Sequence, residues 1–283
     1  MRFGFVVPYA AEREFAELAR LGEQLGWDGV FTWEALYGVD AWVNLGAAAM
    51  VTERIRLGTL LTPASRHRPW DLASKVGSVD RISGGRAVMS VGLGALHEGW
   101  LAFEADEGRA VRARKLDESL AIYAGLLEGQ PFSFSGEHYS ARPTDFVLPP
   151  QTPQRPHPPV WVVGATAPGR ERQPSLERAA RWQGVIPAIH PPSGDAPKTV
   201  EAFSQVVDRV RELRLGQGLP WEGYDVIIEA DSHGDFTTLE PAEPASWTQA
   251  GATWWIESWW SVPEGPDGLA EVRRRIEAGP PRG

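Results

Sequence analysis

The sequence contains no cysteine. Disulfides, thiolate metal sites, iron–sulfur clusters and cysteine nucleophiles are therefore excluded. Lysine is scarce too: Lys75, Lys115 and Lys198 are the only ones, so nearly all positive charge is arginine and a lysine Schiff base has few candidates. No run approaches the roughly 18 apolar residues of a membrane span. The apolar start, Phe3 to Val7, is broken by Pro8 and is too short for a signal peptide, which points to the cytoplasm. There is no basic block, and 28 basic against 37 acidic residues leave a net charge of −9. Nucleic acid and anionic membranes are excluded as partners on that balance.

What is abundant is apolar and aromatic. Hydrophobic residues make up 42% of 283 positions, and 13 are tryptophan. A chain of this length can bury one large core. Single tryptophans read first as packing, and a cluster of them reads as an aromatic pocket for a planar or apolar ligand.

The apolar pattern alternates in type along the chain. Short β-branched runs are predicted as strands at Phe3–Val7, Gly29–Trp33, Ile55–Leu61, Arg86–Val91, Val160–Val163, Gly184–Pro187, Tyr224–Ala230 and Thr253–Glu257. Helical periodicity falls between them. Phe15, Leu18, Ala19 and Gly22 make one face over Glu12–Leu25, and Pro69 opens a helix closed by Ser83-Gly84-Gly85. Residues 129–141 alternate like a hairpin, and the proline-rich stretch to Pro159 reads as an ordered surface loop, placing His138 and His157 at the surface. Eight strand–helix units in one domain, with an insertion at about 129–158, predict an α/β fold of the (β/α)8 TIM-barrel type. The active site then belongs at the C-terminal strand ends.

Familiar motifs fail on inspection. Gly92-Leu93-Gly94 lies after the fourth strand, with His97 where a dinucleotide fingerprint needs its last glycine. His97-Glu98 lacks the second histidine of a zinc-protease helix, because Leu101 stands there. No G-x-S-x-G elbow exists. Asp231, His233 and Asp235 alternate like metal ligands but read as a solvated loop, and no metal is expected. Two small-residue loops remain. Gly92 and Gly94 would let a ligand approach the backbone, and Gly164-Ala165-Thr166 could offer amides to a phosphate or form a plain turn.

Four segments carry a resemblance: "TERIRLGTLLTPASRHRPWDLASKVGSVDRISGGRAVMSVGLG" from Thr52, "PPVWVVGAT" from Pro158, "AARWQGVIP" from Ala179 and "GATWWIES" near the end. Together, and in this order, they resemble the bacterial-luciferase-like flavin- and deazaflavin-dependent oxidoreductases. The resemblance implies a TIM barrel that binds reduced FMN or the deazaflavin coenzyme F-420 at its C-terminal mouth. Flavin members activate oxygen, and deazaflavin members transfer hydride. It implies a ring beside Trp33, Leu60, Leu61 and Gly92, with Gly94 in the same wall and a non-proline cis peptide at Leu60–Leu61. It further implies a phosphate on Gly164, Ala165 and Thr166, helped by Arg112 or Arg114. Arg66, Arg68 and Arg170 could line a groove for the deazaflavin's acidic tail. Many members carry a histidine after the second strand. This chain has Trp33-Glu34-Ala35 there, so Glu34, Glu98 and His67 are the acid/base candidates. The partners implied are a small organic substrate, a separate flavin or F-420 reductase, and a second copy in a homodimer. Two rival functions stay open: a barrel that binds flavin without turnover, and a hydrolase using carboxylates such as Glu34 and Glu229.

Overall fold

The computed structural model describes residues 1–95, 98–166, 169–189, 198–232, 239 and 244–281, with the backbone alone at 98 and 99. Eight parallel strands close into a barrel. They are β1 (Arg2–Val6), β2 (Gly29–Thr32), β3 (Arg56–Thr59), β4 (Ala87–Gly92), β5 (Val160–Gly164), β6 (Gly184–Pro187), β7 (Asp225–Ala230) and β8 (Trp254–Ser258). Each pairs with its neighbours in chain order, and β1 closes the ring on β8 with Arg2 opposite Trp254. The expected third strand, Ile55–Leu61, ends early. Regular pairing stops at Thr59, and Thr62–Pro63 pairs separately with the end of β4.

Helices wrap the barrel for local reasons. Glu12–Gln24 buries the predicted face of Phe15, Leu18, Ala19 and Gly22. Ala41–Ala49 is capped by Asp40, whose carboxylate accepts from the amides of Trp42 and Val43. Pro69–Ser83 ends at Gly84, whose φ of 66° is left-handed and suits a residue without Cβ. No helix among the described residues is long and apolar enough to cross a membrane.

The insertion is tied down by polar contacts. The Glu118 carboxylate accepts the amides of Glu137, His138 and Tyr139, fixing the small hairpin to the helix Arg109–Glu128. The Gln154 side chain donates to Asp80 at 2.6 Å and to the Ala87 carbonyl at 2.8 Å, fixing the proline-rich stretch. His157, expected at the surface, is buried. It packs between Tyr123 and Trp182 and hydrogen-bonds the Pro158 carbonyl. That burial pushes its pKa below the ordinary imidazole value, against the opposing pull of the Pro158 carbonyl. Asp231, expected to be solvated, directly follows β7 and is also buried; His233 and Asp235 lie outside the described residues.

The barrel interior is plugged at its N-terminal end by rings. Phe31, Trp161 and Trp254 meet with centroids 5.3 to 6.1 Å apart. Both indole N–H groups donate to Asp225 at 3.2 Å. Glycines on four of the strands make room for these rings. A Cβ at Gly58 would lie 2.7 Å from Phe31, and one at Gly184 would lie 2.5 Å from Trp161; Gly4 and Gly29 meet Phe31 in the same way. With one end filled, only the C-terminal end can open into a cavity.

Candidate active site

A cavity of about 580 Å3 occupies that C-terminal mouth. This lies within the roughly 300–1,000 Å3 typical of small-molecule sites. Its apolar floor and walls come from strand ends: Trp33 after β2, Leu61 after β3, Gly92 at the end of β4, Val163 on β5 and Trp260 after β8. The Leu60–Leu61 peptide is cis. Leu60 turns into the barrel interior and Leu61 faces the cavity. Gly92 lies beneath Leu61, and a Cβ there would stand 3.0 Å from the Leu61 Cδ2. The floor is therefore shaped by a missing side chain. Trp33 is fixed by its indole N–H, which donates to the Pro8 carbonyl at 2.5 Å, and by an edge contact with Tyr9.

Gly94 serves a different neighbour. Its φ is 75°, and a Cβ would fall 2.3 Å from Trp100 and 2.9 Å from Pro63. Trp100, on the short helix Glu98–Leu101, thus presses on bare backbone. The guanidinium carbons of Arg66 and Arg112 stand 4.6 and 5.9 Å from the centre of its ring.

The acid/base candidates separate clearly. Glu34 and His67 meet, with Oε2 and Nε2 3.0 Å apart, and both side chains are largely shielded. Glu34 lines the main cavity, and both line a smaller side cavity of about 380 Å3. Glu98 begins the short helix on the mouth, and its side chain, like His97, lies outside the described residues. Glu229 accepts the Trp260 indole N–H at 2.7 Å. The carboxylates of the hydrolytic alternative are thus each held by a different partner.

The phosphate candidates also divide. Ala165 lines the cavity, but its amide is already engaged by the Ser175 hydroxyl at 3.1 Å. Gly164 is packed against Leu176 and Val185, with no space for a Cβ, while Thr166 is exposed. Arg112 is buried and paired with Asp106 at 3.0 Å, with its Nε lacking an acceptor. Arg114 points away from the mouth and pairs with Glu137 of the hairpin. Instead Arg109, the first residue of the same helix, lines the cavity, with no ion pair among the described residues. The signal lies in its place in the chain, since a helix following a barrel strand begins at the mouth. Arg178 also lines the cavity, but Asp117 holds it through two bonds of 2.7 Å. Among the described residues, no cluster of three metal-type ligands forms.

A family profile described as luciferase-like monooxygenase matches residues 1–209. The F420-dependent glucose-6-phosphate dehydrogenase of Beutenbergia cavernae is 33% identical over 142 residues, covering 47% of this chain and 42% of that protein. The chain spans less than half the length of the curated relatives it matches. Among solved structures, the monooxygenase RslO1 from Streptomyces bottropensis superposes with a TM-score of 0.73 at 22% identity, covering 98% of this chain and 97% of that one. The coenzyme F420-dependent tetrahydromethanopterin reductase from Methanopyrus kandleri superposes with a TM-score of 0.71 at 16% identity, with the same coverage. At these identities the two structures establish a shared fold. With 209 residues matched in register to one profile, and the closed barrel and its mouth in place, the chain belongs to the luciferase-like monooxygenase family.

Proposed function

We propose that this protein is a flavin- or deazaflavin-dependent oxidoreductase acting on a small organic substrate. The observation that carries the proposal is the cavity floor, where Leu61 lies over a glycine whose Cβ would stand 3.0 Å from its Cδ2. Such a shelf, flanked by the fixed Trp33, suits a flat ring. FMN or F-420 bound there would supply the electron or hydride chemistry, and the protein's part is to bind, orient and shield. Trp33, Leu61 and Gly92 would hold the ring. Arg109, with Thr166 at the exposed end of the turn after β5, would hold the phosphate, in place of Arg112 and Arg114. Glu34 and His67 would hold or move a proton at the cavity wall, at the Glu34 Oε2 and His67 Nε2 atoms. A separate reductase would supply reduced cofactor, and a homodimer is the proposed assembly.

The test is a fluorescence titration of the protein with FMN and, separately, with F-420. Saturable binding of one of them, weakened by filling the floor at Gly92, supports the proposal. Absence of binding by both overturns it. Oxidation of the bound reduced cofactor, with and without oxygen, then separates an enzyme from a barrel that only stores flavin.

A further inference from the structure

Arg66 sits in the turn Ala64–Arg66 and lines both the main and the side cavity. None of its nitrogens has a hydrogen-bond or ion-pair partner among the described residues, and its Nε is sealed from solvent. The nearby charges are already committed or solvated. Glu34 is engaged by His67, and Glu104 is exposed at the rim of the side cavity. Burial pulls the guanidinium pKa below its ordinary value, while the fields of Glu104 and Glu34 push it back up. The group nonetheless stays charged, because arginine does not deprotonate in proteins.

The contrast with neighbouring arginines is informative. Arg178 is satisfied by Asp117, and Arg112 by Asp106. Arg66 shares the Trp100 ring with Arg112, its guanidinium carbon 4.6 Å from the ring centre. An aromatic ring engages the face of a guanidinium. The in-plane N–H groups stay available, and their fork geometry matches a carboxylate. A partly buried cation with open donors, beside the apolar floor of the cavity, is an incomplete ion pair.

We propose that Arg66 completes this pair with a carboxylate of the substrate, and that the substrate is an apolar organic acid. The proposal rests on the oxidoreductase function above and specifies its substrate class. The F-420 tail carries carboxylates as well, so the ligand chemistry has two sources. Placement favours the substrate. Arg66 adjoins His67 in sequence and lines the side cavity together with Glu34 and His67, the proposed proton-handling pair, so a carboxylate held there lies beside that pair.

The experiment uses benzoate and 2-naphthoate, with benzamide and 2-naphthamide as uncharged counterparts. Binding to the full chain is read by tryptophan fluorescence and thermal shift, with no turnover required. The acids should bind at least tenfold more tightly than the amides. Arg66→Gln should remove that preference and leave amide binding unchanged, and Arg66→Lys should retain part of it. Equal binding of acids and amides, no binding of the acids, or an unchanged preference in Arg66→Gln each overturns the proposal. Arg66→Gln is then titrated with F-420 and with its tail-less deazaflavin. Weakening confined to the tailed form assigns Arg66 to the cofactor and also overturns it. Selective acid binding by a protein that takes up neither FMN nor F-420 leaves the Arg66 site standing and removes only the oxidoreductase function.

Discussion

Glu34 and His67, 33 residues apart in the chain, approach to 3.0 Å at a wall shared by two cavities. Neither strand end alone presents this pair. It forms because the loop after β2 and the turn after β3 lie side by side on the barrel rim. If the pair moves a proton, Glu34→Gln and His67→Asn should each slow oxidation of the reduced cofactor by an acceptor, by about 10²–10⁴-fold for lost acid–base assistance. Cofactor affinity should change by less than about threefold. Stopped-flow absorbance and an equilibrium titration measure the two quantities separately. Unchanged rates in both variants would remove the pair from the chemistry.

Gly92→Ala is expected to act on ligand binding more than on folding. The new Cβ meets the movable tips of Leu61 and Val163 at 3.0 to 3.4 Å, so the protein can adjust. The floor rises into the space proposed for the ring. Cofactor affinity should fall at least tenfold, about 1.4 kcal/mol. Titration alongside a thermal melt checks both halves of the expectation.

Gly184→Ala is the complementary case. Its Cβ would meet Trp161 at 2.5 Å and the Asp225 carbonyl oxygen at 2.8 Å, and the latter is backbone. The plug cannot yield cheaply, and overpacking of this kind costs about 1–3 kcal/mol. Urea denaturation should show the loss with an unchanged m-value. Affinity at the distant mouth should be retained.

Among the arginines of the helix Arg109–Glu128, the expected order is specific. Arg109→Ala should weaken FMN binding and flatten its salt dependence, since the residue lines the cavity without a pair. Arg114→Ala should do neither, because its charge is already spent on Glu137. Titrations at two salt concentrations distinguish them.

Glu23 supplies a pH-dependent prediction. Burial raises its carboxyl pKa, but backbone amides of Ile55, Arg54 and Glu53 outweigh this, and the net shift is downward. The bonds to Ile55 and Arg54 are 2.8 and 2.5 Å. A folded-state pKa below the unfolded value contributes stability that is present above the unfolded value of 4.5 and lost as pH falls through the folded one. Glu23→Gln should therefore cost about 1–3 kcal/mol at pH 7 through weakened bonds to the segment entering β3. The difference from the unsubstituted protein should shrink below pH 4.5, as chemical denaturation across pH would show.

Local patterns in the sequence determined the barrel. Strand and helix periods alternate eight times, and the stops at Pro69 and Gly84 are readable because capping is a contact between near neighbours. The family resemblance carried by the segment Thr52 to Gly94 implied the Leu60–Leu61 cis peptide, which the structure contains. Only the tertiary structure decided what shares the mouth. Arg109, Arg112 and Arg114 belong to one helix, yet about 100° of rotation per residue sends one to the cavity, one under Trp100 and one to the hairpin. The burial of His157 depends on Tyr123 and Trp182, from two other elements. The plug needs glycines on β1, β2, β3 and β6 to face Phe31, Trp161 and Trp254, a match set by strand register around a closed ring. The open donors of Arg66 and the meeting of Glu34 with His67 are of the same kind. They depend on which side chains stand between two loops once the ring has closed, and that is decided by packing across the rim, which no spacing along the chain encodes.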